Sequence, residues 1–414
     1  MHDISNAQIA AAMERCTQTL PAWQRLPEWR PPPPFSDIQA GFFDGMSVDG
    51  HPTRVFAYLG FPQHATEPVP GVILVHGGGG HAFLPWVRQW MQAGYAALAI
   101  DLTGSFPLCK GAGREETDRT CWERPSPAAP YVLPPLMEAV DNSIAPLDRQ
   151  WIYHAVGNIL LANSLLRCCN GVDTAHVGVM GISWGGVATA LAIGYDARFA
   201  FAIPVYGSGF LEENLTWLDT RFQGEDTLRL WSAADRFKQV TMPVLWQCWN
   251  QDPCFSLNTN SLSWQATSAN HPHTLLSIVH QMGHSHAHAW QRREPLLFAD
   301  WIVHGGAGPA RFQEEGILSA GKCFRLSFTK GESLVVVARL FTLSTSYNYT
   351  ENGPSFSWAI TACSIDDDQV VGYIPHSAKA CYLELESQST KGNFVTASPL
   401  CLLSEIEPIG GNDP

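Results

Sequence analysis

From residue 71 onward, short all-apolar runs alternate with longer stretches whose apolar residues recur every three or four positions. Residues 72–75, 95–100, 177–180, 199–206, 243–248 and 274–279 are the continuous runs, which is how strands buried on both faces read. Residues 82–93, 148–167 and 294–303 carry the helical period. In the second of these, Trp151, Ala155, Ile159, Ala162 and Leu166 fall on one face. Strands alternating with helices predict an α/β fold, a mostly parallel sheet with helices on both faces.

The flanking segments read differently. Residues 4–20 can form a short amphipathic helix, and Pro31-Pro32-Pro33-Pro34 is a stiff connector, so residues 1–36 are expected to be an arm packed on the main body or on a second subunit. Residues 38–43 and 53–59 are strand-like, with Asp49-Gly50 as turn chemistry between them. Residues 104–147 lose all period, and such an irregular insertion is expected to cover a site. After Gly308-Pro309 only strand patterns remain, at 323–328, 333–343, 355–362, 370–374, 380–385 and 394–403. They predict a β-sandwich over 310–414, behind a catalytic region at 37–306.

Composition narrows the partners. Of 414 residues 45% are hydrophobic and only 15% charged, as in a well-buried globular chain, and the net charge of −13 excludes the basic face that nucleic acid requires. No run approaches the ~20 apolar residues of a membrane span. Met1-His2-Asp3-Ile4-Ser5 lacks the basic and apolar regions of a signal peptide, so a cytoplasmic protein is expected. Eleven cysteines make no metal-site spacing and read as reduced thiols, with Cys109 and Cys121 left open as a bridge within the insertion. The sequence leaves a homo-oligomer open.

One stretch carries chemistry. Residues 177–180 run into Gly181-Ile182-Ser183-Trp184-Gly185-Gly186 and then an apolar helical run. Gly-x-Ser-x-Gly on a strand-to-helix turn lifts a serine hydroxyl above a sheet, making Ser183 the candidate nucleophile. The N–H of Trp184 at the helix start is a candidate oxyanion donor. The strand at 72–75 ends in His76-Gly77-Gly78-Gly79-Gly80, where Gly78 or Gly79 would supply a second N–H. It is not GxGxxG and no Lys-Ser or Lys-Thr follows, which argues against a phosphate cradle. Asp101 reads as a structural acid at a strand end.

Asp252 is the one carboxylate on the loop after strand 243–248, and His284 stands on the loop after the last strand. The order Ser…Asp…His is the one this topology requires, with Asp252 as orienting acid and His284 as base. His286 and His288 are expected to contribute loop packing only, and His280 to come too early. Three histidines could also suggest zinc, but no carboxylate or cysteine lies near them in sequence, so no metal is expected. Trp86, Trp122 and His76 are weaker candidates for a substrate pocket. Every candidate precedes residue 305, so the C-terminal strands are expected to take no part in catalysis.

Together, residues 75–80, 177–186, Asp252 and Met282-Gly283-His284 resemble the α/β-hydrolase superfamily. Within it they are most similar to the acetyl xylan esterase and dienelactone hydrolase-like group, over about residues 40–305. The trailing strands are similar to Ig-like modules attached to some esterase-like members. Dienelactone hydrolases proper carry a cysteine nucleophile, whereas this turn holds Ser183, which favours an esterase. The resemblance implies a serine carboxylesterase working through an acyl-enzyme without cofactor. The motifs do not carry the substrate, and the insertion at 104–147 with Trp184, Trp86 and Trp122 as an aromatic pocket points to acetyl or feruloyl-type esters of carbohydrates. Two rivals remain. A prolyl-oligopeptidase-like peptidase would use the same triad but usually carries a large N-terminal propeller. A non-catalytic carbohydrate-binding protein would leave the triad without a role.

Overall fold

The computed structural model describes residues 5–27, 29, 31–107, 122–123, 146–216, 230–313 and 318–403. Most of the 104–147 insertion, Cys109 and Cys121 included, lies outside the described residues, as does the Trp122 side chain.

The central sheet has nine strands in the order β1-β2-β3-β5-β4-β8-β9-β10-β11. Strands β1 (Trp23–Arg25), β2 (Gln39–Val48) and β3 (His51–Gly60) form an antiparallel entry, with Asp49 and Gly50 at positive φ in the turn. From β5 (Ala96–Ile100) through β4 (Val69–Val75), β8 (Val172–Ile182), β9 (Ala202–Val205), β10 (Leu245–Trp249) and β11 (Leu275–Val279) every pairing is parallel. A short pair, β6 (Phe106–Pro107) and β7 (Trp122–Glu123), lies apart from this sheet. Parallel strands end at one edge, so the loops after β4, β8, β9, β10 and β11 share one rim.

Helix α1 (Asn6–Gln18) opens with a Ser5–Gln8 capping box and buries Ile9, Ala12, Met13 and Cys16, spaced by three and four. That face lies against α3 (Trp151–Arg167), where Ser164 Oγ contacts the Cys16 carbonyl at 3.3 Å. The arm therefore packs on the main body. Burial of Ile9 and of Met13 contributes roughly 1.5–3 kcal/mol each, enough to hold a short helix. Helix α2 (Leu84–Gln92) turns Leu84, Trp86, Val87, Trp90 and Met91 inward. Among the described residues no helix is long and apolar enough to cross a membrane.

Beyond residue 310 the chain is all β. Strands β12 (Arg311–Phe312), β13 (Cys323–Thr329), β18 (Ser364–Asp366) and β19 (Gln369–Tyr373) form a four-stranded sheet. Strands β14 (Val335–Leu343), β17 (Ala359–Ala362), β20 (Ala380–Ser389), β21 (Gly392–Ala397) and β22 (Cys401–Leu402) form a five-stranded one, and β15 (Tyr349–Thr350) pairs with β16 (Gly353–Pro354). The run expected at 394–403 is broken between β21 and β22, where Pro399 has no N–H to donate.

The period of two gives β14 and β20 two faces. Ala338, Leu340, Cys381, Leu383 and Leu385 join Phe324, Leu326 and Val370 in the core between the two antiparallel sheets. On the opposite face Phe341, Leu343, Ala380 and Tyr382 belong to the main core that also holds β4 and β8.

Candidate active site

Ser183 sits between β8 and helix α4 (Trp184–Ala192) at φ 57°, ψ −120°, a region that costs a non-glycine residue about 1–3 kcal/mol. The strain is held from both sides. Ser183 N–H donates to Val205 O at 2.8 Å, and Val187 N–H returns to Ser183 O at 3.0 Å. Close packing explains the neighbouring glycines. A Cβ at Gly181 would collide with Gly185 O and Thr189 Oγ1, and one at Gly185 with the Val75 and His76 carbonyls.

The rim then assembles a line of three side chains. Ser183 Oγ donates to His284 Nε2 at 3.1 Å, and His284 Nδ1–H donates to Asp252 Oδ2 at 2.7 Å. Asp252 is fully buried, and its other oxygen accepts the N–H groups of Cys254 and Phe255 at 2.7 and 2.9 Å. These bonds fix the carboxylate with Oδ2 aimed at the imidazole. The loop 211–216 adds support, since Asn214 Nδ2 donates to Cys254 O at 3.0 Å and Ser256 N–H donates to Asn214 Oδ1 at 2.9 Å.

Two aromatic residues that the local sequence does not single out hold His284. Tyr206, at φ 61° just past β9, stacks on His284 with centroids 4.4 Å apart, and its hydroxyl donates to Gly283 O at 2.6 Å. Burial, and then the Asp252 charge, push the Tyr206 phenol well above its usual range, so it stays a donor. Phe255 lies nearly parallel to the imidazole, at 6.2 Å and 11°. A residue directly after an apolar strand was the available sign, but nothing local distinguishes Tyr206 from other strand-end aromatics.

The glycine loop lies beside the elbow because β4 pairs with β8, Val75 opposite Gly181. Gly77 is wedged against Ser183, and its N–H donates to His286 Nε2 at 2.9 Å, while Gly78 and Gly79 are exposed beyond it. His286 was expected to contribute loop packing only. Instead helix His286–Trp290 turns its first side chain back onto the glycine loop, 5.0 Å from the Phe83 ring.

His76 is corrected from pocket residue to buried brace. It is 1% exposed, donates from Nδ1 to Gly77 O at 2.8 Å and accepts from Leu102 N–H at 2.9 Å. Trp86 is also corrected: the inward face of α2 buries it completely, stacked on Trp290 at 5.9 Å, so it lines no pocket. Asp101 caps its own turn by accepting from Thr103 and Ser105 N–H at 2.8 and 2.9 Å.

Among the described residues one group of three donors gathers within 4.8 Å, namely Asp252, Cys254 and His284. Both Asp252 oxygens and both His284 nitrogens are already engaged in the hydrogen bonds above. The described cysteines are free thiols.

A model of the dienelactone hydrolase family matches residues 55–296, more than half of the chain. No curated protein matches. Among solved structures, the chain is similar to an acetyl xylan esterase from Paenibacillus sp. R4, at 19% identity over 69% of this chain and 92% of that one, with a TM-score of 0.46. It is also similar to Est1E from Butyrivibrio proteoclasticus, at 18% over 64% and 98%, TM-score 0.42. A third is a Mycobacterium tuberculosis puromycin-hydrolyzing peptidase, at 16% over 66% and 40%, TM-score 0.47.

Proposed function

The chain belongs to the dienelactone hydrolase family, as an ester-hydrolysing enzyme, and we propose that it is a serine esterase working through an acyl-enzyme on Ser183. The observation that carries the reading is the Ser183–His284–Asp252 line, with bonds of 3.1 and 2.7 Å.

In that reading Ser183 Oγ attacks the ester carbonyl while its proton passes to His284 Nε2. The carbonyl electron pair moves onto oxygen. The Trp184 N–H and that of Gly78 or Gly79 stabilise the oxyanion, each such donor typically worth ~3–4 kcal/mol of barrier. Collapse of the intermediate expels the alcohol, which takes the proton from His284. Asp252 holds the imidazole in the tautomer that can accept at Nε2 and stabilises the imidazolium between the two transfers. A water then gives its proton to His284 and attacks the acyl-enzyme, releasing acid and free serine.

The motifs at the site do not carry the substrate; the class favoured is esters of carbohydrates with acetyl or feruloyl-type acyl groups.

A fluorophosphonate should label the chain once, at Ser183. Ser183→Ala should stay folded and keep less than roughly a thousandth of wild-type p-nitrophenyl acetate turnover. A panel of acetylated xylan, methyl ferulate and peptide anilides then ranks the substrates. Labelling elsewhere, or an active Ala variant, removes the serine reading.

A further inference from the structure

The loop that carries Asp252 is held on both sides by residues from the C-terminal strands. Before it, Asn250 is completely buried, and its carbonyl accepts from Trp358 Nε1 at 2.9 Å. Its side-chain Nδ2 donates to the Tyr382 hydroxyl at 3.0 Å and approaches His280 Nδ1 at 3.1 Å. Next to it, Gln251 Nε2 donates to Phe356 O at 3.2 Å. After it, Leu257 N–H donates to the Tyr347 hydroxyl at 2.7 Å. Those partners form one aromatic block. Tyr382 lies flat on Phe341 at 4.5 Å and edge-on to Trp358 at 5.0 Å, and Tyr347 meets Phe356 at 4.9 Å.

We propose that the C-terminal β module is a positioning element of the active site, with Trp358 and Tyr382 fixing the Asp252 loop through Asn250 before the acid and Tyr347 fixing it through Leu257 after it. The physical basis is the short reach between grip and acid. Asn250 and Leu257 bracket Asp252, whose orientation depends on the loop presenting the Cys254 and Phe255 N–H groups to Oδ1. A shift of ~1 Å in such a group can cost about a hundredfold in rate, so a module that touches no substrate still sets turnover. The proposal rests on the serine-triad reading.

The test uses the full chain. Tyr382→Phe removes one oxygen and leaves the ring on Phe341, and Trp358→Phe removes the donor to the Asn250 carbonyl. The pair should lower kcat on p-nitrophenyl acetate by about 10- to 100-fold with KM within about twofold, because misplacement of the acid acts on the chemical step. In an Asp252→Asn background the same pair should cost less than about twofold, since an effect routed through Asp252 disappears with it. Arg325→Ala, which breaks the exposed Arg325–Asp366 ion pair on the other sheet, should leave kcat unchanged.

Near-UV circular dichroism checks folding, and if the double variant does not fold, Tyr382→Phe alone is carried through the same comparison. Folded variants with wild-type kcat, or an equal loss in the Asp252→Asn background, overturn the proposal and leave the module a stabilising role only. A wild type that turns over ester but takes no phosphonate at Ser183 overturns the serine reading and the proposal with it. A labelled wild type beside unaffected variants overturns the proposal alone.

Discussion

Tyr206 lies on His284 with ring centroids 4.4 Å apart and planes 29° from parallel, while its hydroxyl reaches past the imidazole to Gly283 O at 2.6 Å. One residue thus holds both the face of the His284 ring and the backbone immediately before it. Tyr206→Phe keeps the stack and releases the carbonyl. It should lower kcat about tenfold, equivalent to ~1.4 kcal/mol, with little change in KM. Steady-state kinetics on a small acetyl ester decide this, and an unchanged kcat would mean that the stack alone suffices.

The three loop histidines should separate into three classes. His284→Ala should cost about ten-thousandfold in kcat, as loss of a triad base does, and be little worse when combined with Ser183→Ala. His286→Ala leaves the buried Gly77 N–H without the acceptor at 2.9 Å, which should cost about 1–3 kcal/mol of stability and, by loosening the glycine loop, lower kcat by about tenfold. His288→Ala, exposed on the same helix, should cost less than about threefold. Equal losses at His286 and His288 would show that the Gly77 contact does not govern the glycine loop.

Gly181 admits no side chain. Gly181→Ala drives a Cβ into Gly185 O and Thr189 Oγ1, backbone and buried neighbour that cannot both retreat. The variant should lose more than about 3 kcal/mol of stability or fail to accumulate as soluble protein. A thermal melt close to wild type would rule out the close elbow packing described above.

Acid stability has an identifiable source in His154. It is 1% exposed, its Nε2–H donates to Asp148 O, and burial holds its pKa down to about 4. Nδ1 has no partner among the described residues, so protonation there would bury a bare N–H. The unfolded chain takes up that proton near pH 6.5 and the folded chain only near 4. This contribution is therefore fully present above pH 6.5 and lost progressively from 6.5 down to about 4, on the order of 3 kcal/mol in total. His154→Gln should flatten the dependence of denaturation midpoint on pH across that window. A slope equal to wild type would assign the sensitivity to other groups.

Much of this site was legible because its signals are local. Ser183 announces itself by a strand, a glycine-flanked turn and a helix in one short stretch, and Asp252 and His284 follow two further apolar runs. Parallel strand ends do the rest by collecting the loops at one rim. Trp86 was misread for want of a helical projection: Leu84, Val87 and Met91, with Trp86 and Trp90, repeat at three and four and mark an inward face. Tyr206, His286 and Asn250 carry no such sign. Their roles arise from side chains meeting across 77, 209 and 132 residues of chain, separations over which no periodicity speaks.

The core that begins at Ile9 runs on through the elbow strand to Tyr382 and Phe394 without interruption. The change in pattern after Gly308 is therefore a seam in composition and not in cohesion. Detaching the last strands would uncover one whole face of β14 and β20 and, with it, the floor under the acid loop. The hydrolase half and the five-stranded sheet are therefore expected to unfold together, which thermal melts followed by near-UV circular dichroism and by activity would show as coincident transitions. With coincident transitions, resistance to unfolding at the C-terminal end and persistence of the chemistry would be one property.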